Sequence, residues 1–227
     1  MATQRKLVFV NDGYYHVFNR GIDRRVTYTN KREHDRAINL LEFYQYATIP
    51  LRYSRYSKLP SDKQQNYLVQ MIDGGKIVEV VAYCLMPNHF HLLLRQKEKK
   101  GIATYIGNFI NAYTKYFNTK HQRIGPLFQG IFKAVYVETD EQLIHLTRYI
   151  HLNPVSSSLT TPEHLHAYPW SSYPAYIGVR EDKLVTDYTR LSIHAMAPDY
   201  KNFVKDQIAY ARELEKIKHM TFEHDFD

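Results

Sequence analysis

At 227 residues the chain is long enough to bury a proper core, as one large domain or as a core with an appended piece. Its formal charge of +7, with 20 tyrosines, suggests a polyanionic partner, because cations neutralise phosphates and aromatic rings stack on unpaired bases; simple solubility explains the charge about as well. A single cysteine, Cys84, excludes a disulfide framework, and with no long apolar run and no signal peptide the expectation is a cytoplasmic, nucleoid-associated protein without membrane contact.

Residues 14–19 alternate, with Tyr15, Val17 and Asn19 on one side and Tyr14, His16 and Phe18 on the other, which predicts a first strand ended by Asn19-Arg20-Gly21. Thr29 or Asn30 caps a predicted helix over about 31–47, whose Ala37, Leu40, Leu41, Tyr44 and Ala47 fall at helical spacing. Residues 49–76 read as an excursion broken by Pro50, Pro60 and Gly74-Gly75, with one short helix near 61–71. There Arg52, Arg55 and Lys58 alternate with Tyr53 and Tyr56, a pattern that suits a solvated loop better than a nucleic-acid contact.

The chain is organised around residues 80–96, VVAYCLMPNHFHLLLRQ, where two apolar runs joined by a Pro-Asn break predict a hairpin of buried strands. On the second strand His89 and His91 share a face while Phe90, Leu92 and Leu94 point the other way. Two imidazoles side by side on a rigid strand make a ready pair of metal ligands, although an HxH alone also fits two histidines at a sheet surface. A charged turn follows, then a helix over about 102–119 with Ile102, Ile106, Phe109, Ile110, Tyr113 and Phe117 as its core stripe, and with Lys115, Lys120, His121 and Arg123 at its far end. Residues 132–138 predict another strand, and Thr139 or Asp140 caps a helix running to about Asn153, stopped by Pro154.

The order strand, helix, strand, strand, helix, strand predicts an α+β, ferredoxin-like antiparallel sheet with both of its helices on one face. Residues 1–155 form the expected core, and 156–227 an appendage, docked or reaching for a partner, with a helix at about 199–218 whose Phe203, Val204, Gln207, Ile208, Ala211 and Leu214 share one face.

On the helix from residue 140, His145, Tyr149 and Asn153 lie one turn apart. If that helix packs beside the hairpin, two imidazoles, a carboxamide and a phenol converge. A phenol with a pKa of ~10 is a poor nucleophile at neutral pH, and a divalent cation would help by polarising a phosphoryl group and orienting it in line. Attack on phosphorus would conserve the bond energy as a phosphotyrosine, and an Asn oxygen suits Mg²⁺ or Mn²⁺ alongside imidazole. The same spacing also fits a core tyrosine and an Asn that caps the helix before Pro154.

The segments YYHVFNRGIDRR (14–25), AYCLMPNHFHLLL (82–94), GPLFQGIFKAVYVE (125–138), LTRYIHLNPV (146–155) and YPWSSYPAYIG (168–178) resemble, in order and spacing, the single-tyrosine HUH transposases, and the REP-associated tyrosine transposases among them. The resemblance implies an HUH endonuclease core in which His89, His91 and Asn153 bind a divalent metal, Mg²⁺ or Mn²⁺, and Tyr149 is the nucleophile, with His145 as a second-shell candidate. It further implies cleavage and rejoining of single-stranded DNA next to hairpins, REP-like or at inverted-repeat ends, through a 5′-phosphotyrosine, by a monomer or homodimer. Arg20, Gln129 and Lys133 lie in the matching motifs and, with Lys115 and Arg123, are the candidate DNA contacts. The competing reading is a non-catalytic binder of structured single-stranded DNA or RNA that keeps the fold. A replication or conjugation nickase fits the short chain poorly, and a small-phosphoester hydrolase would need more carboxylate ligands.

Overall fold

The computed structural model describes residues 7–208, in which β1 (Tyr14–Arg20), β2 (Val78–Met86), β3 (His89–Gln96) and β4 (Lys133–Val137) form one sheet in the order β2-β3-β1-β4. Every neighbouring pair is antiparallel, as the ferredoxin-like order requires. The helices are α1 (Lys31–Tyr44), α2 (Tyr53–Tyr56), α3 (Ser61–Asp73), α4 (Gly101–Lys120), α5 (Asp140–Ser156), α6 (Tyr173–Tyr176), α7 (Asp187–Met196) and α8 (Tyr200–Lys205), with 3₁₀ turns at Ile22–Arg24 and Pro162–Ala167.

Alternation along β3 divides the molecule. Phe90, Leu92 and Leu94 are fully buried on the side where α1 and α4 pack together, and the Phe90 ring meets Phe109 of α4 edge-on at 5.4 Å. The opposite face carries His89 and His91, and α5 lies across it over β2 and β3. Both sides of the sheet are therefore covered, which is why β2 and β3 read as near-continuous apolar runs. The hairpin turn is Pro87-Asn88, clasped from outside by the N–H groups of Thr27 and Tyr28 on Pro87 O and of Gly21 on Asn88 O. Gly21 is needed for that approach, since a Cβ there would meet Arg25 O at 2.4 Å.

The outer edge of β2 is occupied by the chain that follows α5. Leu85 N–H donates to Trp170 O at 2.9 Å, Ser172 N–H donates to Tyr83 O at 3.1 Å, and the Tyr168 and Tyr176 hydroxyls donate to Leu85 O and Val81 O. Edge backbone that would otherwise template another strand is thereby satisfied. His151 of α5 joins the same construction through Ser172 Oγ and Tyr200 Oη, each at 2.7 Å. Burial pushes this histidine down to about 3, so it is a neutral part of the core at ordinary pH.

Several boundaries differ from expectation. The excursion holds two helices, α2 and α3, and α1 ends at Tyr44. A helix α7, capped by the Thr186 hydroxyl, stands where none was expected. Of the helix expected at 199–218, α8 covers Tyr200–Lys205, and Ala211 and Leu214 lie outside the described residues. The most instructive correction is Pro154, which does not stop α5: the helix runs on to Ser156. Proline at that position cannot donate to the carbonyl four residues back, Ile150 O. The Asn153 amide reaches that carbonyl at 3.4 Å and donates to Tyr149 O at 2.9 Å, so a side chain replaces the missing backbone donor.

Candidate active site

Residues directly opposite one another in an antiparallel pair share a face. Phe18 of β1 stands opposite both His91 of β3 and Lys133 of β4, and Arg20 stands opposite His89. One row across the sheet thus reads Lys133, Phe18, His91, and the next carries Arg20 and His89. Gln129 is exposed just beyond the strand ends, its N–H on Arg20 O at 2.8 Å.

The two histidine rings lie 5.1 Å apart with their planes at 84°. His89 Nδ1 is 2.6 Å from Asn88 Oδ1, while Asn88 Nδ2 donates to Arg24 O. An amide oxygen only accepts, so His89 carries its proton on Nδ1 and leaves Nε2 as a bare lone pair. Burial, with help from the Arg20 charge, holds His89 down to about 3, so it need not lose a proton before ligating a cation.

His91 is buried, and its Nδ1 is 2.9 Å from Nε2 of His16 on β1. With the shared proton on His91 Nδ1, Nε2 is the ring nitrogen that carries the lone pair. His16 is buried too, and its ring stacks at 5.1 Å on that of His91. Hydrogen bonding through the second ring nitrogen is the usual way a metal-ligating imidazole is oriented.

Tyr149 of α5 closes over this cluster. Its ring is 5.8 Å from that of His91 and 6.0 Å from that of His16, edge-on to both. Tyr149 is half-buried, between core and groove. Asn153, one turn on, is buried, with Nδ2 turned to its own helix as described, so Oδ1 is the atom of that amide able to ligate a cation. Among the described residues no three His, Cys, Asp or Glu side chains gather as a metal cage. The donor set is instead two imidazoles beside a carboxamide helix. That set fits a divalent cation which keeps open positions for water or a phosphate.

The remaining candidates separate clearly. His145 is half-exposed, with Arg148 NH2 and Glu141 Oε1 beside its ring nitrogens and the Phe203 ring at 5.8 Å, which are its contacts among the described residues. Lys115 is exposed on α4, and Arg123, bonded to Asn118, follows that helix; both belong to the side of the sheet away from the histidines. His16 and Asn88 were not singled out from sequence. The signal for His16 was present in the alternation that put it on the side of Phe18, but its use required the register of β1 against β3.

Residues 44–153 match the family model described as "Transposase IS200 like". Among solved structures, the chain is similar to a REP-associated tyrosine transposase bound to a REP hairpin, with a TM-score of 0.53 and 12% identity over 81% of this chain and 97% of that one. At that identity the likeness is one of fold. A structure described as that of a candidate transposase from Deinococcus radiodurans R1 aligns at a TM-score of 0.35 and 15% identity, over 66% of this chain and 95% of that one. No curated protein matches. The residues matched by the IS200-like transposase model contain the hairpin with His89 and His91 together with Tyr149 and Asn153.

Proposed function

We propose that this protein is a transposase of the IS200-like kind, a metal-dependent strand transferase that cleaves and rejoins single-stranded DNA next to hairpins, through a 5′-phosphotyrosine on Tyr149. The observation that carries the reading is the Tyr149 ring seated edge-on against His91 and His16, above the strand face that also bears His89. In the reaction the phenolic oxygen attacks phosphorus, an O–P bond to tyrosine forms, and the bond from phosphorus to the 3′ oxygen breaks. The phenol gives up its proton and the departing 3′ oxygen takes one up, so attack by a 3′-OH on the phosphotyrosine reverses the step and rejoins a strand.

His89 and His91 would hold Mg²⁺ or Mn²⁺ through Nε2, with Asn153 Oδ1 as the third protein ligand. When bound, the cation supplies charge against the phosphate and aligns it with the nucleophile. His16 fixes the ring of His91, and Asn88 that of His89. Arg20 and Lys133 share the face of the site and are the side chains best placed to meet the phosphates on either side. The partner implied is a hairpin with single-stranded flanks, of the REP or inverted-repeat kind.

The test is covalent trapping. Protein incubated with end-labelled hairpin DNA and Mn²⁺ is run on a denaturing gel, and the adduct is mapped by peptide sequencing. An adduct on Tyr149 is expected. Transfer of label to Tyr113, Tyr116 or Tyr136, or no adduct with DNA that binds tightly, would leave a DNA-binding protein that keeps the fold without the chemistry.

A further inference from the structure

On the side of the sheet away from the histidines, α1, α4 and the chain leading into α2 enclose a cleft of ≈ 1070 Å³. Arg32 and Arg36 line it from α1, Arg52 from the chain before α2, and Lys115 and Lys120 from α4. No aspartate or glutamate lines it among the described residues. Lys120 is held by Glu33 at 2.7 Å, but Arg32, Arg36, Arg52 and Lys115 have no acidic partner among the described residues. Four cations left without counter-charge in one concavity repel one another, and an anion arriving there relieves that repulsion.

The walls are as informative as the charge. The Arg36 guanidinium lies 4.4 Å from the centre of the Tyr53 ring and 5.0 Å from that of Tyr116, a cation held between two aromatic faces. Arg36 Nε and the Tyr116 hydroxyl are buried, with no hydrogen-bond partner among the described residues. Leu40, Ile49 and Pro50 supply an apolar surface beside the charges. Phosphate-directed cations, aromatic rings and apolar wall together match a strand with unpaired bases, whereas a duplex would keep its base faces stacked and hidden.

We infer that this cleft is a second nucleic-acid site, which takes a stretch of single-stranded DNA away from the phosphate being cut. The inference rests on the proposed action on single-stranded DNA and adds to it a place for the strand on the opposite side of the sheet. It also gives a role to Arg52 and Tyr53, the first pair of the Arg-Tyr alternation, and to Lys115, which the histidine face leaves without one.

The test measures binding without divalent metal, so it does not depend on whether Tyr149 forms an adduct. A fluorescent, unstructured oligothymidine is titrated against the wild-type chain and against Arg52→Gln/Lys115→Gln, both exposed positions chosen to spare the fold; Arg36→Gln is measured beside them, with thermal melting of every variant. Loss of two phosphate contacts predicts affinity lower by about tenfold at moderate salt and a log–log salt slope shallower by about 1.4, from ~0.7 per phosphate on a single strand. Photocrosslinking with an iodouracil oligonucleotide should label Tyr53 or Tyr116. Unchanged affinity and slope in the double variant, or crosslinks confined to the histidine face, would overturn the inference. So would full displacement of the oligonucleotide by ATP or pyrophosphate at comparable concentration, which would make the cleft a small-polyphosphate site.

Discussion

The two faces of the sheet handle polar groups in opposite ways. On the α5 face the ring and amide groups are each oriented by a close partner: His91 by His16, His89 by Asn88, and Asn153 by its own helix. On the α1/α4 face the polar groups are long, cationic and set around an open cleft, with Arg36 Nε and Tyr116 Oη left unmet. Bond making needs atoms fixed in advance to a fraction of an ångström, which hydrogen-bonded rings on strands provide. Holding a strand of varied sequence needs charge and stacking surface more than fixed directions. The proposed function and the proposed second site would thus put chemistry and grip on opposite sides of the sheet, and that separation can be tested by breaking one face at a time.

The largest effect belongs to Tyr149. Tyr149→Phe removes one oxygen and keeps the ring against His16 and His91, so DNA binding should stay within a few-fold while cleavage falls by about four orders of magnitude or more. A gel-shift titration beside a denaturing cleavage gel checks both halves. If cleavage survives, the α5 face is not where the chemistry lies. Next in size is the histidine pair. His89→Ala/His91→Ala should abolish Mn²⁺ binding in calorimetry. His91 is buried and bonded to His16, so this variant should also lose about 1–3 kcal/mol of stability. Mn²⁺ binding that persists would remove the pair from the metal site.

Much of this was legible in the residues. The hairpin announced itself because both of its strands are covered on both faces and so read as unbroken apolar runs. The ferredoxin-like order followed from the succession of elements, and the two histidines on one face from the two-residue period of a strand. What stayed hidden depended on register or on compensation. His16 could be put on a face but not opposite a particular neighbour, since nothing local fixes which residue of β1 meets His91. Pro154 carries a strong local stop signal, and the Asn153 side chain supplies a donor to the carbonyl that it leaves unmet. The cleft was invisible because its cations come from residues far apart in the chain, each ordinary in its own segment.

His16 offers a smaller and more specific test of the α5 face. His16→Phe keeps an aromatic ring beside His91 but removes the acceptor for His91 Nδ1, freeing the ring to turn or change tautomer. Outer-shell partners of metal ligands typically contribute about 10- to 100-fold in metal affinity. Calorimetric Mn²⁺ affinity should fall by about that factor in His16→Phe, and His16→Gln, whose side-chain oxygen can accept the same hydrogen bond, should recover part of it. Equal affinity in all three proteins would reduce His16 to packing. The cleft face should not respond, so binding of oligothymidine without metal should be the same in both variants.

Glu33 gives the smallest functional effect and links stability to the cleft. It opens α1 with a buried carboxylate that accepts from Thr29 N–H and Oγ1, Lys120 Nζ and His121 Nε2, all between 2.7 and 2.8 Å. Burial alone would raise this carboxyl, but the hydrogen bonds, led by that from Lys120, outweigh it and hold it at about 2, against 4.5 ordinarily. A carboxyl depressed on folding stabilises the protein above its unfolded pKa, and that contribution is lost as pH falls through the folded value. Glu33→Gln should therefore lose about 2 kcal/mol in urea denaturation at pH 7, where buried charge-assisted hydrogen bonds are broken. The gap from wild type should narrow as pH drops below about 4.5 toward 2. A gap that does not change with pH would mean that shape, rather than charge, makes Glu33 matter. The same substitution releases Lys120 into the cleft as a further uncompensated cation. Oligothymidine affinity without metal should then rise by about twofold, with a slightly steeper salt slope, although the protein as a whole is less stable.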